Sequence, residues 1–379
     1  MRVLIIHNRY RATGGEERAV ADLEAMLARH GHTVARLQRA SAGTERGRAA
    51  RGMLTGGLEP GEVEAAARAL EADVVHAHNL HPTLGFRALA AGRRAGARTV
   101  LHLHNYRLYC AIGVAWRDGA PCHQCHGHDT WPGVRHRCRG SLPEAAVYAL
   151  GLRRQQDALL RQADRIVTVS QAQTDTLRRF GLSAQRATPL LNFLPDASFV
   201  AQADPGPGVH ALAVGRLVPE KGFDTAIAAA RAARVPLVVA GDGPDGPRLK
   251  ALAAGAEVRF TGQITGQAVA ALRAQASVVL APSRWEEPCP YAVAEAMAAG
   301  VPVLASQRGG LPEMVGAEMT LPAGDVGAWA AALTTLHADP QARSRAARHA
   351  LARARELFDE TRYHARLMEV YGAGPSDGD

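Results

Sequence analysis

The sequence lacks any apolar stretch of the length, about 20 residues, that a helix needs to cross a bilayer, so no transmembrane helix is predicted. The first residues, MRVLIIHN, carry one arginine and only a very short apolar run before polar residues. That pattern indicates a buried first strand and does not fit a secretion signal. We therefore expect a cytoplasmic protein.

Aromatic residues are also scarce. They make up 5% of the chain, whereas apolar residues in total reach 47% and much of that share is alanine. This composition favours helix-rich layers over an all-β sandwich. A chain of 379 residues exceeds what one hydrophobic core usually serves, so two domains are expected.

A basic stripe interleaved with aromatic residues is missing, although the formal net charge is +8. The arginines are instead scattered through helical stretches such as ARSRAARHALARARE, where they are typical of solvated faces. No nucleic-acid partner is therefore expected. The positive charge suits a phosphorylated substrate or a peripheral contact with an anionic membrane at its inner face.

Short β-branched runs alternate with alanine-rich helical stretches in both halves, which is typical of βα units around parallel sheets. The predicted strands are VLII, TVARL, DVVHAH, TVLHLH and RIVTVS, then HALAVG, PLVVAG, VRFTG, SVVLAPS and PVLAS. The Pro- and Gly-rich stretch NFLPDASFVAQADPGPGVH between the two sets is the predicted linker. The prediction is an α/β protein with two Rossmann-like, doubly wound parallel-sheet domains, over 1–195 and 196–355, facing a central cleft.

A pair of glycines, Gly14 and Gly15, follows the first predicted strand and precedes a helix with apolar residues at helical spacing. Free amides at such a helix start can bind an anion. A glycine pair at a βα turn also serves the turn alone. The third glycine and the distal acid of a dinucleotide-binding fingerprint are missing.

The segment VGRLVPEKGFD places Arg216 and Lys221 at a strand-to-helix turn. Two cations at such a turn would bind a diphosphate and stabilise its charge as it leaves. Two further strand ends, AGDGP with Gly241 and FTGQI with Ile264, are expected to line the same cleft and to leave room for a nucleoside.

Two acids occupy different settings in SRWEEPCPYAVAEAMAAG. Prolines on its carboxyl side exclude a helix through Glu287, and the helix is predicted to begin near Pro290 or Tyr291. The amides of Tyr291, Ala292 and Val293 would then point at an anion. Glu287 would hold a sugar, and Glu295, about one turn along the helix, a ribose.

Four of the five cysteines, Cys110, Cys122, Cys125 and Cys138, follow the pattern C-x11-C-x2-C-x12-C within a predicted insertion over 105–140. The close central pair is typical of zinc ligands, and nearby histidines allow mixed ligation. Free thiols in a substrate loop and disulfides are the alternatives, although a reducing compartment disfavours the last. The fifth, Cys289, is expected to fill space.

Together, these segments resemble the retaining GT-B glycosyltransferases of family 4. PSRWEEPCPYAVAEAMAAGVPVLASQRGGLPEMV resembles their E-x7-E signature, with Glu287 and Glu295 as its acids. GRLVPEKG resembles their Arg and Lys phosphate-binding element, and HNRYRATGGEE their amino-terminal glycine loop. Pro290 stands where many members carry glycine. The resemblance covers nearly the whole chain in the expected order.

The resemblance implies transfer of a hexosyl group from a nucleoside diphosphate sugar with retention at the anomeric carbon and without a metal cofactor. No obvious D-x-D metal motif is found in the two predicted domains, in agreement with that chemistry. His104, in LHLHNYRLYC, matches a family histidine that contacts the donor, whereas His102 is expected to be a core histidine. The final segment, 356–379, would return to the amino-terminal domain as a helix and end in a disordered tail.

The sequence thus predicts a glycosyltransferase with the donor on the second domain and a glycan, lipid-linked or small-molecule acceptor on the first. A non-catalytic sugar-nucleotide-binding scaffold or sensor on the same fold is the alternative. A zinc-dependent nucleic-acid binder, suggested by the charge and the CxxC pair, is disfavoured by the missing basic stripe.

Overall fold

The computed structural model describes residues 1–10, 14–183, 187–203 and 208–372. Contacts within the chain divide it into two units. The first comprises Met1–Ala115, Cys122–Asn192 and the described residues from Glu360 onward, and the second comprises Trp116–Pro121 and Phe193–Asp359. The boundary therefore lies a few residues before the predicted one at 195.

The strands, in chain order, are β1 (Arg2–Arg9), β2 (Thr33–Ala40), β3 (Val74–Ala77), β4 (Arg98–Leu103), β5 (Trp116–Arg117), β6 (Ala120–Pro121), β7 (Arg165–Thr168), β8 (Ala187–Pro189), β9 (His210–Val214), β10 (Leu237–Ala240), β11 (Val258–Gly262), β12 (Ala276–Ala281), β13 (Val303–Ser306) and β14 (Thr320–Leu321). All ten predicted strands are present. The short strands β5, β6, β8 and β14 were not predicted.

The helices are α1 (Gly15–Arg29), α2 (Arg46–Thr55), α3 (Pro60–Leu70), α4 (Gly85–Arg94), α5 (Trp131–Arg135), α6 (Leu142–Gln162), α7 (Gln171–Arg179), α8 (Phe223–Ala233), α9 (Gly246–Leu252), α10 (Gly266–Ala274), α11 (Tyr291–Ala298), α12 (Leu311–Val315), α13 (Val326–Ala338), α14 (Pro340–Leu357) and α15 (Glu360–Tyr371). Among the described helices, none combines the length and apolar character that a membrane span requires.

The first unit is built on a parallel sheet with the order β2-β1-β3-β4-β7-β8. Residues Val3 to Ile6 of β1 are at most 1% exposed, as expected for a strand covered by helices on both faces. The order reverses at β1, whose neighbours are β2 and β3. Ligands in open parallel sheets bind beyond the carboxyl ends of strands at such a point.

The last helix, α15, belongs to the first unit. The Arg29 guanidinium of α1 donates to the Glu360 carboxylate over 2.6 Å, and Glu360 is 6% exposed. The predicted start of the final helix at 356 is corrected to Glu360, because α14 continues to Leu357 and α15 begins only at Glu360. The predicted disordered tail lies, from 373 onward, outside the described residues.

The second unit is built on a parallel sheet with the order β11-β10-β9-β12-β13-β14. Its core contains apolar side chains of β9, β10, β12, α8 and α13. The largest of these side chains, Trp329, is fully buried and donates its indole N–H to the Pro322 carbonyl over 3.0 Å. The strand order reverses between β9 and β12, so the loops after these two strands flank the expected binding crevice of this unit.

Close backbone packing at the end of β10 generates a prediction for Gly241. Its φ is 140°, and a Cβ there would lie 1.9 Å from the Gly215 carbonyl oxygen. Gly255 also has a positive φ of 77° but has no atom within 4 Å of a Cβ. Gly255→Ala should cost about 1 kcal/mol of backbone strain, and Gly241→Ala about 2 kcal/mol more from overpacking. Urea unfolding of both variants measures the difference, and equal losses would contradict the packing argument.

Candidate functional site

Two loops of the second unit pack backbone against backbone at the switch point between β9 and β12. The loop after β9 ends at Gly222, whose φ is 69° and whose Cβ would lie 2.0 Å from the Pro282 carbonyl oxygen. The Arg284 N–H of the second loop donates to the Glu220 carbonyl over 2.8 Å. Any side chain at position 222 would push the loops apart, so glycine is required there.

Glu287 lies on the loop after β12 and is 5% exposed. The Ser283 hydroxyl and the Lys221 ammonium both donate to its carboxylate. Its own carbonyl accepts the Gly310 N–H over 2.8 Å. The carboxylate is therefore held by a hydroxyl of its own loop and by a cation of the loop after β9.

Lys221 was predicted as a phosphate-binding cation, and the structure places its ammonium on Glu287. Its side chain is 23% exposed, and its Nζ lies 5.9 Å from the centre of the Trp285 ring. The sequence reasoning missed this ion pair and the hydroxyl of Ser283. One signal was available, because Lys221 is one of two lysines in a chain that otherwise uses arginine.

Arg216 is not brought onto Glu287. Its side chain is 61% exposed, and its guanidinium lies 3.7 Å from the Glu220 carboxylate in the same loop. A long exposed side chain in this position keeps the freedom to reach an anion that arrives at the crevice. Arg216 and Lys221 thus differ, since only the second is already neutralised by a buried acid.

The predicted helix start is confirmed, because α11 begins at Tyr291 with Pro290 at the N-cap position. The expectation for its amides is wrong at Val293, whose N–H donates to the Pro290 carbonyl over 3.1 Å. Ala292 precedes it in the first turn. Glu295 lies one turn along the helix and accepts a bond from the Arg273 guanidinium over 3.1 Å.

Two further predicted residues lie at strand ends of this sheet. The Gly241 N–H follows β10 and donates to the Gly262 carbonyl at the end of β11 over 3.0 Å. Ile264 is half-buried in the loop between β11 and α10. The loop after β10 is also bonded to the loop after β9, since the Leu217 N–H donates to the Asp242 carbonyl over 2.9 Å.

Gly14 and Gly15 belong to the first unit and precede and begin α1. The expectation of an available amide is wrong for Gly14, because its N–H donates to the Glu17 carboxylate over 2.7 Å. Glu17 also accepts the Tyr10 N–H over 2.9 Å. This acid therefore satisfies amides that would otherwise face an anion.

A pocket opens beyond the carboxyl ends of β1, β3 and β4 in the first unit, and His104 lines it. The His104 Nε2 lies 2.8 Å from the His78 Nδ1. Burial lowers the pKa of His104 well below its usual value, and the neighbouring His102 adds to the decrease. A neutral His104 whose Nε2 is engaged by His78 presents its Nδ1 as the other polar atom of the ring.

Glu16 lines the same pocket and is 8% exposed. Burial raises the pKa of its carboxyl to about 7, although Tyr10 and Arg107 oppose the increase. The Asn105 side-chain amide donates to Glu16 over 3.2 Å and to the Tyr10 hydroxyl over 2.9 Å. The sequence analysis missed Glu16. The available signal was its position directly after the glycine pair, where two acids follow in sequence.

Three neighbouring histidines are buried, namely His76, His78 and His102, at 0%, 2% and 3% exposure, and the last two line this pocket. Burial lowers the pKa of each, to about 3 for His76 and well below the usual value for the other two. The expectation of a core histidine at 102 is confirmed. The HAHNLHP segment, with His76 and His78, received no role from the sequence.

The four clustered cysteines lie in the first unit, each of them half-buried and none in a disulfide. Burial raises the pKa of the Cys125 thiol to about 12, and the neighbouring Cys110, Cys138 and Cys122 add to the increase. The backbone N–H of Gly133 bonds the Cys125 sulfur and opposes it. Among the described residues, the three side chains whose potential ligand atoms lie within 4.8 Å of one another are histidines and not these thiols.

Solved glycosyltransferases share this fold. Sucrose-phosphate synthase from Thermosynechococcus elongatus aligns over 98% of this chain and 98% of its own, with a TM-score of 0.69 and 20% identity. The HepE protein of Anabaena, solved in complex with UDP-glucose, aligns over 98% and 99% with a TM-score of 0.66 and 19% identity. At these identities the likeness shows the fold, which is GT-B.

Relatives with known activities are similar in sequence. The glycogen synthase of Mycobacterium tuberculosis is 29% identical over 322 residues, which are 80% of this chain and 69% of the relative. A GDP-mannose-dependent alpha-mannosyltransferase of Mycolicibacterium smegmatis is 40% identical over 102 residues, which are 27% of this chain and 26% of the relative.

Two family models match consecutive parts of the chain. Residues 13–195 match the model described as Glycosyltransferase Family 4, and residues 208–339 match the model described as Glycosyl transferases group 1. Since these matches occur in this order on a GT-B fold, the chain belongs to the GT-B glycosyltransferases, with a Family 4 domain followed by a group 1 domain.

Proposed function

We propose that this glycosyltransferase transfers a hexosyl group from a nucleoside diphosphate sugar, with retention at the anomeric carbon. The observation that carries the proposal is the meeting of Lys221, Glu287 and Ser283 at the switch point of the second sheet. A buried carboxylate with a cation beside it offers an acceptor for sugar hydroxyls and a donor for phosphate oxygens in one place.

The diphosphate of the donor lies, in this proposal, against Lys221 and Arg216. Lys221 is neutralised by Glu287, whereas Arg216 is exposed and bonded only loosely to Glu220 at 3.7 Å. Negative charge increases on the diphosphate as the sugar leaves. Cations at that position stabilise the transition state more than the ground state, which is the condition for catalysis.

The reaction breaks the bond between the anomeric carbon and the diphosphate oxygen and forms a bond from that carbon to the acceptor oxygen. With retention, the acceptor approaches from the side of the leaving group, and a diphosphate oxygen takes the acceptor proton. Glu287 orients the sugar, and Glu295 holds the ribose at the other end of the diphosphate. No protein nucleophile takes part.

Relatives suggest which donors to test first. HepE was solved with UDP-glucose, and the mannosyltransferase of Mycolicibacterium smegmatis depends on GDP-mannose. Both are hexosyl donors with a nucleoside diphosphate, so UDP-glucose and GDP-mannose are the first candidates for this chain.

The pocket of the first unit is the proposed acceptor site. Tyr10, Glu16, His104 and Asn105 line it and supply donors and acceptors for hydroxyl groups. Glycans, lipid-linked sugars and small molecules all carry such hydroxyls. His104 is half-buried in the same pocket as Glu16, whose carboxyl has a pKa raised to about 7.

A structural zinc at Cys110, Cys122, Cys125 and Cys138 is a separate proposal. The Cys125 sulfur accepts the Gly133 N–H and interacts with the three other thiols. Zinc would bind the deprotonated sulfurs and draw them together.

The donor site is tested with Glu287→Gln, which keeps the size of the side chain and removes its charge. Turnover with UDP-glucose or GDP-mannose should fall by about 100-fold or more, as is typical when a fixed electrostatic contact is lost. The matched control is Glu286→Gln in the same loop, whose carboxylate bonds the Gly309 N–H and should be dispensable for turnover. Proton NMR recorded during donor hydrolysis identifies which anomer of the sugar is released first.

Three results would contradict this proposal. Unchanged turnover in Glu287→Gln would remove the donor-site assignment. A first product with inverted anomeric configuration would remove retention. A wild-type protein that is stabilised by a nucleotide sugar but never turns one over would indicate a scaffold instead of an enzyme.

The raised pKa of Glu16 predicts a pH-dependent stability. A carboxyl with a pKa of about 7 in the folded state stabilises the fold while protonated, and this contribution is lost as the pH rises from its unfolded value near 4.5 through neutrality. Glu16→Gln should match the wild type near pH 5 and exceed it near pH 8 by about 2–3 kcal/mol. Urea unfolding at both pH values measures this difference.

The control for Glu16 is Glu62→Gln, an exposed acid of α3 paired with Arg39. Its stability should follow the wild-type pH profile. If Glu16→Gln also follows that profile, the burial argument for Glu16 is wrong.

The cysteine site predicts about one tightly bound zinc per chain, since a thiolate tetrad binds one tetrahedral ion. Elemental analysis of purified protein measures it, and Cys122→Ser/Cys125→Ser should release that ion and lower the melting temperature. Full stability of a chelator-treated wild-type protein would contradict a structural role.

A further inference from the structure

Exposed apolar side chains are concentrated in α5 and the first half of α6. The large apolar side chains that are exposed among the described residues are Trp131, Leu142, Leu150, Val209 and Leu252. The first three lie within residues 131–150, at 69%, 51% and 42% exposure. Neither the donor site nor the proposed acceptor contacts use them. Exposed apolar side chains that occur together mark an interaction surface.

The exposed side chains of α6 lie along one face of the helix. Leu142, Ala146 and Leu150 follow one another at intervals of four residues, and all three are exposed. Residues three and four apart are neighbours on a helix surface, so Arg153 continues the same face after Leu150. This face is therefore apolar at the amino-terminal end of α6 and basic beyond it.

Trp131 begins α5 close to this face. The Thr130 hydroxyl donates to the Ala149 carbonyl over 2.7 Å. This hydrogen bond joins the residue before Trp131 to the residue before Leu150. The exposed indole and the exposed stripe of α6 are thus held on neighbouring parts of the first unit.

The charge around these apolar side chains is positive. Six arginines and two acids occur between residues 131 and 162. Both acids have partners, since Glu144 pairs with Arg139 over 2.7 Å and Asp157 with His128 over 2.9 Å. Four of the other arginines are exposed, namely Arg135, Arg137, Arg153 and Arg154.

Helix α2 packs directly on α6 and adds to this charge. The Gln155 side-chain amide donates to the Met53 carbonyl over 2.6 Å. A Cβ on Gly151 would lie 2.9 Å from the same carbonyl oxygen, so the glycine lets the two helices approach closely. No acid occurs in α2, and its exposed arginines are Arg46, Arg48 and Arg51.

We propose that α5 and the first half of α6 form a docking surface for an anionic lipid bilayer. Trp131, Leu142 and Leu150 enter the interfacial region, where an indole and short apolar side chains are stabilised. The arginines around them pair with anionic headgroups. A second copy of this chain fits the surface less well, because it would bring like charges together.

Helix α6 also connects the docking surface with the pocket of the first unit. Leu159 lines that pocket, and it lies about 14 Å along the helix axis from Leu150 at 1.5 Å per residue. A bilayer at the docking surface therefore favours the lipid-linked class among the proposed acceptors. Only this step rests on the proposed function, whereas the docking itself is independent of the transfer reaction.

Vesicle binding tests the proposal with the full chain as purified. The probes are vesicles of phosphatidylglycerol and phosphatidylcholine in equal amounts and vesicles of phosphatidylcholine alone. In sedimentation, partitioning to the anionic vesicles should be about 10-fold stronger or more. Raising the salt to about 0.5 M should remove most of this preference, because salt screens the headgroup charge.

Tryptophan fluorescence identifies the residue that enters the bilayer. The other three tryptophans, Trp116, Trp285 and Trp329, are at most 8% exposed. A blue shift of the emission on addition of anionic vesicles should therefore come from Trp131. Trp131→Phe keeps an aromatic ring, so it should still bind the vesicles but lose the blue shift.

The apolar contribution is measured with Trp131→Ala/Leu150→Ser. Partitioning to anionic vesicles should fall by about 10-fold or more, since two buried apolar contacts are lost. The matched control is Val209→Ser in the second unit, because Val209 is 54% exposed but lies outside the docking surface. It should bind like the wild type.

The charge contribution is measured with Arg153→Gln/Arg154→Gln. This variant should bind anionic vesicles about 10-fold more weakly or less still. Arg345→Gln/Arg348→Gln is the matched control, since both arginines are exposed on α14 of the second unit. Donor hydrolysis in solution should be the same in all of these variants, so docking and transfer are tested separately.

Four outcomes would overturn the proposal: no sedimentation with anionic vesicles, equal partitioning to both kinds of vesicle, equal losses in the variants and their controls, or a blue shift that persists in Trp131→Phe. Self-association of the wild type in light scattering, lost in Trp131→Ala/Leu150→Ser and without vesicle binding, would assign the surface to a second copy. Circular dichroism reports folding. If the apolar variant does not fold, the arginine variant decides.

Discussion

The second unit holds one acidic side chain in a place that water barely reaches. Glu287 is 5% exposed, and an ionised acid in such a position is stable only with a cation and hydrogen-bond donors beside it. Lys221 and Ser283 provide both. The close contact between the loops at Gly222 brings Lys221, from the loop after β9, to Glu287, in the loop after β12. The same backbone packing therefore positions both charged groups of the site.

Most of the fold could be predicted from sequence because most of its longer strands are buried. Buried strands appear as continuous β-branched runs. The ten longer strands were found from such runs, including β2 and β11, which lie at sheet edges and are only partly buried. The strands β8 and β14 span three and two residues at the ends of their sheets. Segments this short carry no period, and their pairing is set by the neighbouring strand, which sequence alone does not supply.

The features of the site that depend on residues close together in the sequence could be predicted. Prolines around Glu287 excluded a helix, and α11 begins where they allow it. The Lys221–Glu287 pair joins residues 66 positions apart and needs the strand order to be known. The histidine cluster likewise requires β3 and β4 to be neighbours in a given register. The amides of Gly14 and Val293 were misjudged because nearby groups compete for them.

The placement of α15 bears on how the chain folds during synthesis. Residues 193–359 of the second unit are nearly all of that unit and are continuous in sequence, whereas the first unit needs residues from Glu360 onward. Domains fold as their residues leave the ribosome. The amino-terminal sheet is therefore made first but completed last, when Glu360 reaches Arg29 and Tyr371 reaches His76. Until then Tyr371 does not pack against His76. A chain truncated before Glu360 would therefore have a complete second unit and an incomplete first unit.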